Sequence, residues 1–375
     1  MKIACFDFTG GGCDFYRIVQ PMKTIASLGL AEVKVVNRGD DMDVLEEAAY
    51  ADAFYFGRPT DMRLLTLIQK FKEKGRFVAI DFDDDLFNVS PWSPHYADHG
   101  IDEVVVNTKD GKKIPLWRDG VNINLAENRE RARIIAECVR DVDCVTVTTT
   151  ELAKVYAPLA KTVAVVPNSV DLSLWRPVRM QRENNEIRMG WAGGSSHLED
   201  WGMLEEVLPE VMKEEPRLKL VVLGTAFKQA IKRLPPDRVE IHPWVPTPAY
   251  PYKLALLDLD FGIIPLKDTQ FNRCKSAIKW IELASLRVPA VSSYVTPYKE
   301  MMFGENGIFV EENSPSAWEQ GILKMAQDVI MRSLMGVNAR AFVEKEYDIQ
   351  KNAPLWLDAF EAARLRAQGS LLHVQ

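Results

Sequence analysis

Lys275, Lys279 and Glu282 stand at i, i+4 and i+7 of the stretch FNRCKSAIKWIELASLRVPAV, residues 271–291. Read as a helix with a strand start behind it, this stretch places all three on one face. Two ammonium groups suit an anion such as a phosphate, above all near the positive N-terminal end of a helix. A carboxylate two turns along can accept two hydrogen bonds from a vicinal diol such as a ribose. The competing reading is a solvated ion pair between Lys279 and Glu282, worth roughly 0.2–0.5 kcal/mol on a helix surface. Ile278, Trp280, Ile281, Leu283 and Leu286 leave that helix little surface, so the charged face is expected to line a cleft.

Three further groups carry polar chemistry. Thr9-Gly10-Gly11-Gly12 follows the first strand pattern, where Gly11 and Gly12 allow backbone N–H groups to approach a ligand at a helix start; a plain tight turn explains the same residues. Tyr16 and Arg17 stand one turn on, where Arg17 could meet an anion or pair with a surface acid. Phe15 stands where a GxGxxG dinucleotide fingerprint requires glycine, and there is no Walker A sequence. Gly190-Trp191-Ala192-Gly193-Gly194-Ser195-Ser196-His197 is a second glycine loop, with Gly193 and Gly194 open to a diphosphate and Ser195 and His197 as polar partners; a serine helix cap is compatible with it. Asn272 and Ser276, close to Lys275, join the candidates for the phosphate-and-diol ligand. Asp81-Phe82-Asp83-Asp84-Asp85 ends a strongly apolar strand. Such acids can hold a metal, bind sugar hydroxyls, act as a base, or cap an acidic turn. Asp83, Asp84 and Asp85 are the members read as candidates for that chemistry. His95 and His99 lie in a loop bounded by Pro94 and Gly100 without a third ligand, so no metal site is expected. Trp191 and Trp244, at strand ends, are the aromatic residues that could serve as sugar platforms.

These residues need elements to hold them. Short β-branched runs (KIACFDF, AEVKVV, ADAFYFG, RFVAIDF, DCVTVTT, TVAVVP) alternate with helix-period segments near 16–28, 124–140 and from Glu151, with a loop-rich stretch from Asn88 to Val121. After the polar stretch RPVRMQRENNE (176–186) the alternation resumes with RMGW, LKLVVLG, RVEIHPW, LDFGIIPL and VPAVSS. Strand–helix alternation of this kind means parallel sheets covered on both faces. The expected fold is α/β: two doubly wound, Rossmann-like domains, 1–175 and 187–345, facing across a cleft, with a last helix near 349–367 available to pack back on the first. At 375 residues two domains are the prior, and 47% hydrophobic with 26% charged residues is an ordinary soluble composition. A net charge of −7 argues against a general nucleic-acid binder. Five cysteines without a CxxC pair read as reduced thiols, no run reaches the length of a membrane span, and MKIACFDF reads as a strand; a cytoplasmic location is expected.

The runs VTVTTTELAKVYAPLAKTVAVVPNSVDLSLW, RMGWAGGSSHLEDW and FGIIPLKDTQFNRCKSAIKWIELASLRVPAVSSYVTPY together resemble the glycosyltransferase family 4 type, of the GT-B fold. GGGCDFYRIVQP and DFDDDLF resemble a bacterial and phage subset of it. The resemblance implies a nucleotide-sugar donor, most commonly a UDP-sugar, held mainly by the second domain, an acceptor held by the first, with Tyr16, Arg17 and Asp85 as its candidate contacts and Asp83, Asp84, Lys275 and Lys279 as catalytic candidates, and retaining transfer with no cofactor and no metal. It implies that Glu282 matches the second Glu of the family's E-x7-E motif, which grips the donor ribose. The first Glu, a donor-sugar contact, is replaced by Cys274. The glycine loop lacks the family's usual Arg, leaving Lys275, Lys279 and backbone amides for the diphosphate. The family's first-domain His has no counterpart, and the Asp81–Asp85 cluster is the candidate for that place. A sugar-nucleotide epimerase of the same form and an idle binding homologue are the alternatives. A glycan, a lipid-linked sugar, a protein or modified DNA would all serve as acceptor; the basic aromatic stretch from Lys109 to Trp117 with Arg118 could touch a polyanion, though a solvated loop is the simpler reading.

Overall fold

The computed structural model describes residues 1–7, 10–37, 50–108, 110–180, 182 and 184–372. Thr9 of the first glycine loop, Lys109 of the basic stretch, and Gln181 and Glu183 of the polar linker lie outside the described residues.

The first six-stranded sheet is built from β1 (Lys2–Asp7), β2 (Glu32–Asn37), β3 (Ala53–Gly57), β4 (Phe77–Phe82), β7 (Cys144–Val147) and β8 (Val163–Val165), in the order β2-β1-β3-β4-β7-β8. Every pairing is parallel. Its strands are apolar on both sides because both faces are covered. Ala4 and Phe6 of β1 point into one cluster with Leu65, Ile68 and Phe71 of helix α2 (Met62–Glu73) and with Ile134, Ile135 and Val139 of α3 (Leu125–Asp141). Ile3 and Cys5, the alternate residues, point into the other. That second cluster is completed from the far end of the chain: Trp356 and Phe360 of the last helix, α5 (Pro354–Leu372), pack on Tyr55 and Phe77. The Trp356 indole donates to the Tyr55 hydroxyl at 2.8 Å. α2 begins where Asp61 accepts from the Leu64 N–H, and its Leu64-Leu65-Ile68-Phe71 stripe is the buried face. Each such side chain contributes roughly 1.5–3 kcal/mol on burial.

The second sheet comprises β9 (Ile187–Gly193), β10 (Leu218–Gly224), β11 (Val239–His242), β12 (Phe261–Ile264), β13 (Ala290–Ser293) and β14 (Gly307–Val310), in the order β11-β10-β9-β12-β13-β14, again all parallel. Two chain crossings join the domains, and they meet: Val170 donates to the Tyr347 carbonyl, and Ile349 donates to the Val170 carbonyl. The stretch 88–121, read from sequence as loop, instead contains a short helix (Tyr96–His99) and an antiparallel hairpin of β5 (Val104–Asn107) and β6 (Lys113–Trp117). Val105 and Ile114 of the hairpin are exposed, which removed the apolar alternation that would have marked the strands.

Candidate functional site

In each sheet the chain order reverses beside one strand, between β1 and β3 in the first and between β9 and β12 in the second. Ligands of open parallel sheets bind outside the carboxyl ends of strands at such points. Both glycine loops follow these strands, Gly10–Gly12 after β1 and Gly193–Gly194 after β9. Between the two domains lies a cavity of about 460 Å3, lined from the first by Gly12, Cys13, Tyr16, Asp83 and Asn168 and from the second by Trp244, Val245, Thr247, Tyr250, Ser276, Ile278, Lys279 and Glu282.

The stretch expected as one helix is broken. A turn of helix, Gln270–Arg273, ends at Cys274, and the chain restarts as α4 (Ile278–Ser285). Lys279 and Glu282 share the cavity face of α4, with Ser276 and Ile278 at its N-terminus, so the positive end of the helix dipole adds to Lys279 there. Lys275 precedes α4 and turns to the opposite domain, its ammonium 3.6 Å from Asp84 and 4.5 Å from the Phe271 ring centre.

Glu282 is buried at the cavity wall. Its Oε1 accepts from the Tyr16 hydroxyl at 2.8 Å and its Oε2 from the Tyr250 hydroxyl at 3.0 Å. Burial raises its carboxyl above the ordinary range, opposed by the Lys279 charge and by both phenols. The Lys279 ammonium donates to the Ala192 carbonyl at 2.8 Å and lies 5.6 Å from the Trp191 ring centre. Burial holds it down to about 8; Glu282 and Asp200 oppose that and Lys275 reinforces it.

The second glycine loop is shaped by this lysine. A Cβ on Gly193 would stand 2.6 Å from Lys279 Nζ and 2.6 Å from the Trp191 indole, so only glycine fits. Next to it Gly224, at φ +105°, would place a Cβ 2.6 Å from the Gly193 carbonyl. Gly194 and Ser195 lead into the short helix that holds His197. His197 and Asn272, expected as donor contacts, are both buried and converge on Asp200. His197 Nδ1–H donates to Asp200 Oδ2 at 2.7 Å, Asn272 Nδ2 to Oδ1 at 3.0 Å and the Lys267 backbone N–H to Oδ1 at 2.8 Å. Burial, then the charges of Lys279 and Lys275, keep the imidazole neutral, while burial raises Asp200 to about 6. Trp191 is packed among Trp201, Phe227 and His197.

The acidic segment divides its members among different partners. Asp81 is buried against Arg17 in a two-point pair (2.9 and 2.8 Å) and also accepts from Tyr55 and Thr146. Asp83 lines the cavity, 3.6 Å from the Arg58 guanidinium, and burial together with the Asp83 charge holds the proton on the Cys13 thiol. Asp84 faces Lys275. Two residues expected on the acceptor side are buried among partners of their own. Arg17 is 2% exposed and spends its remaining donors on the Val166 carbonyl and Asn168, so it ties β4 to the interdomain crossing. Asp85 is wholly buried and accepts from the Phe87 and Asn88 backbone and the Asn88 side chain, closing its own loop.

Of the sequence candidates, Gly12, Tyr16, Asp83, Ser276, Lys279 and Glu282 line the cavity; Gly193, Lys275 and Asp84 stand behind or beside it. Tyr16 lies on Glu282, across the cleft. Residues not picked out from sequence include Tyr250, Cys13, Arg58, and Asn168, whose side chain donates to Ser276 Oγ at 2.9 Å across the domain boundary. Tyr250 follows a PTP turn at the mouth of a helix, a pattern with no chemical signature of its own. Trp244, half exposed at the end of β11, presents an aromatic face beside Tyr250.

The fold and this crevice define a class: two Rossmann-like domains with a cavity between them, the GT-B arrangement. The chain is similar in structure, over 96% of its length and 100% of the other, to HepE of Anabaena solved with UDP-glucose, at TM-score 0.66 and 14% identity. It is similar over the full length of both chains to a sucrose-phosphate synthase of Thermosynechococcus elongatus (0.62, 14%). A glycosyltransferase of Rickettsia africae matches over 96% of this chain and 98% of its own (0.64, 10%). In sequence, residues 189–328 match the family model described as glycosyl transferases group 1. No curated protein sequence matches this chain. Among the described residues no helix is long and apolar enough to cross a membrane.

Proposed function

We propose that this protein is a glycosyltransferase that moves a sugar from a nucleoside-diphosphate sugar, with a UDP-sugar the first donor to test, to an acceptor hydroxyl. The observation that carries the reading is the pairing, on one face of α4, of Glu282 with Lys279 beside the second glycine loop, inside the segment that matches group 1 glycosyltransferases. A ribose diol fits the Glu282 carboxylate, and the diphosphate fits Lys279 with the α4 N-terminus. Lys275, released from Asp84, would reach the same phosphates. Negative charge grows on the leaving diphosphate as the glycosidic bond breaks, and ammonium groups placed where it grows accelerate the step. The acceptor would enter from the first-domain wall, where Asp83 is the carboxylate able to receive its hydroxyl proton. Transfer with retained anomeric configuration and without a metal is the form the family resemblance implies.

Thermal unfolding with UDP, GDP, ADP, dTDP and CMP, with and without magnesium, tests the donor half of this reading. Ligand at about 100 times its dissociation constant adds roughly 2.7 kcal/mol, a midpoint shift of several degrees for a domain of this size. One nucleoside diphosphate raising the midpoint without metal supports a donor site; no shift with any overturns it. Incubation with the matching nucleotide sugar then separates reactions: a free epimeric sugar in the absence of acceptor would identify an epimerase, whereas glycosylated acceptor identifies a transferase.

A further inference from the structure

The carboxylate assigned to the donor ribose is already occupied, and one of its occupants comes from the other domain. Glu282 is 7% exposed and lines the cavity beside Tyr16 and Tyr250, whose phenols both donate to its carboxylate. Tyr250 belongs to the same domain as Glu282 and moves with it. Tyr16 sits in a single π-helical stretch, Phe15–Val19, between the first glycine loop and α1 (Gln20–Ser27). Insertions of this kind re-aim side chains and concentrate at functional positions.

The same stretch grips the interdomain crossing. Gln20, four residues after Tyr16, donates from Nε2 to the Ser169 carbonyl at 2.9 Å and accepts at Oε1 from the Asp171 N–H at 3.2 Å. Those two residues bracket Val170, which pairs with the returning chain at Tyr347 and Ile349. Arg17 fixes the stretch to Asp81 and to the Asn168 side chain. Tyr16 therefore extends from a segment that is held at the crossing and ends on the donor carboxylate of the opposite domain.

We propose that Tyr16 is a nucleotide-displaced latch. In the empty protein its hydroxyl holds Glu282 and ties the domains across the cavity. A ribose diol needs the same carboxylate, displaces the phenol, and frees the first domain to reposition Asp83 over the bound donor. The inference rests on the proposed donor site and adds to it a contact between the domains that the nucleoside must break.

The consequence is a substitution that improves binding. Tyr16→Phe keeps the ring and removes the competing hydroxyl. A hydrogen bond to a charged group corresponds to about a 10- to 100-fold change in affinity. Titration calorimetry with the panel of nucleoside diphosphates should show Tyr16→Phe binding at least tenfold tighter than the wild type. Tyr250→Phe, on the domain of Glu282 itself, removes no tie between the domains and should leave the scattering profile of the empty protein unchanged. In small-angle scattering, empty Tyr16→Phe should give the profile that the wild type adopts only with nucleotide. Equal or weaker binding by Tyr16→Phe, in a variant that still unfolds cooperatively, overturns the latch. Failure of both wild type and Tyr16→Phe to bind any of the nucleotides overturns the donor site instead, so the two failures are distinguishable.

Discussion

Donor binding should draw a proton onto Lys279. In the empty protein burial holds this ammonium down to about 8. A diphosphate placed against it favours the charged form and restores an ordinary lysine. A group with a pKa of about 8 is about one-quarter protonated at pH 8.5 and about nine-tenths protonated at pH 7. If the bound state is fully charged, binding takes up roughly 0.75 proton at pH 8.5 and roughly 0.1 at pH 7. The neighbours leave this window clear: His197 titrates well below it, and Tyr16, Tyr250 and the Cys13 thiol well above it. The terminal phosphate, with a second pKa near ~6, is already ionised at pH 8.5. Calorimetry of nucleoside diphosphate binding in buffers of different ionisation enthalpy gives the proton number directly as a slope. Affinity should fall about tenfold per pH unit above pH ~8. The sign for the fold itself is opposite. The unfolded chain, with lysine near 10.5, binds more protons between about 8 and 10.5, so this group makes the empty protein more stable as pH rises through that window. Lys279→Met should abolish the uptake. Tight binding by the wild type with a zero slope at pH 8.5 would refute the contact between Lys279 and the phosphates.

Three other substitutions probe separate parts of the site. Glu282→Gln should weaken nucleotide binding about 10- to 100-fold by calorimetry, with little change in turnover at saturating donor; an unaltered affinity would remove the ribose role. Gly193→Ala should lower both stability, by about 1–3 kcal/mol in denaturant unfolding, and nucleotide affinity, because its Cβ would press on Lys279 Nζ and Trp191. Wild-type values for both would show that the loop relaxes. Asp81→Asn leaves the Arg17 guanidinium buried and unpaired and should cost about 3–5 kcal/mol; a loss below about 1 kcal/mol would mean that Arg17 finds another partner.

The fold was legible because parallel strands buried on both faces write themselves as short continuous apolar runs, and each glycine loop marked the end of one. The cavity wall on α4 was legible for a related reason: charges on an otherwise apolar helix had nowhere else to go. What the linear order hid was partnership. Arg17 and Asp81 are far apart in the chain and nothing local distinguishes a buried two-point ion pair from a pair of surface charges. The Asp81–Asp85 segment looked like one acidic site, yet its members point to Arg17, Arg58, Lys275 and their own loop, because a strand end followed by a turn sends successive side chains in different directions. The break at Cys274–Ala277 was hidden as well. No glycine or proline marks it, and tertiary contacts outweigh helical propensity there.

Position 274 shows how the two domains share one seam. The family resemblance places a sugar-contacting Glu there, and a cysteine reads as a missing contact. In the structure the Cys274 side chain leaves the cavity altogether. It joins the apolar cluster of the first domain with Phe82, Leu86 and Leu152, its thiol 4.0 Å from Asp85, while its carbonyl accepts from Thr149 at 3.1 Å. A glutamate in that conformation would bury a second carboxylate beside Asp85, an arrangement in which both cannot stay ionised cheaply. Position 274 therefore docks one domain on the other, and the neighbouring Lys275 reaches across the same seam to Asp84. On the proposed reading, a carboxylate facing the donor sugar has to come from the opposite wall, where Asp83 lines the cavity. Donor recognition then requires both domains at once: the nucleoside is gripped by the second, and the sugar is met by an acid that arrives only when the first is in place.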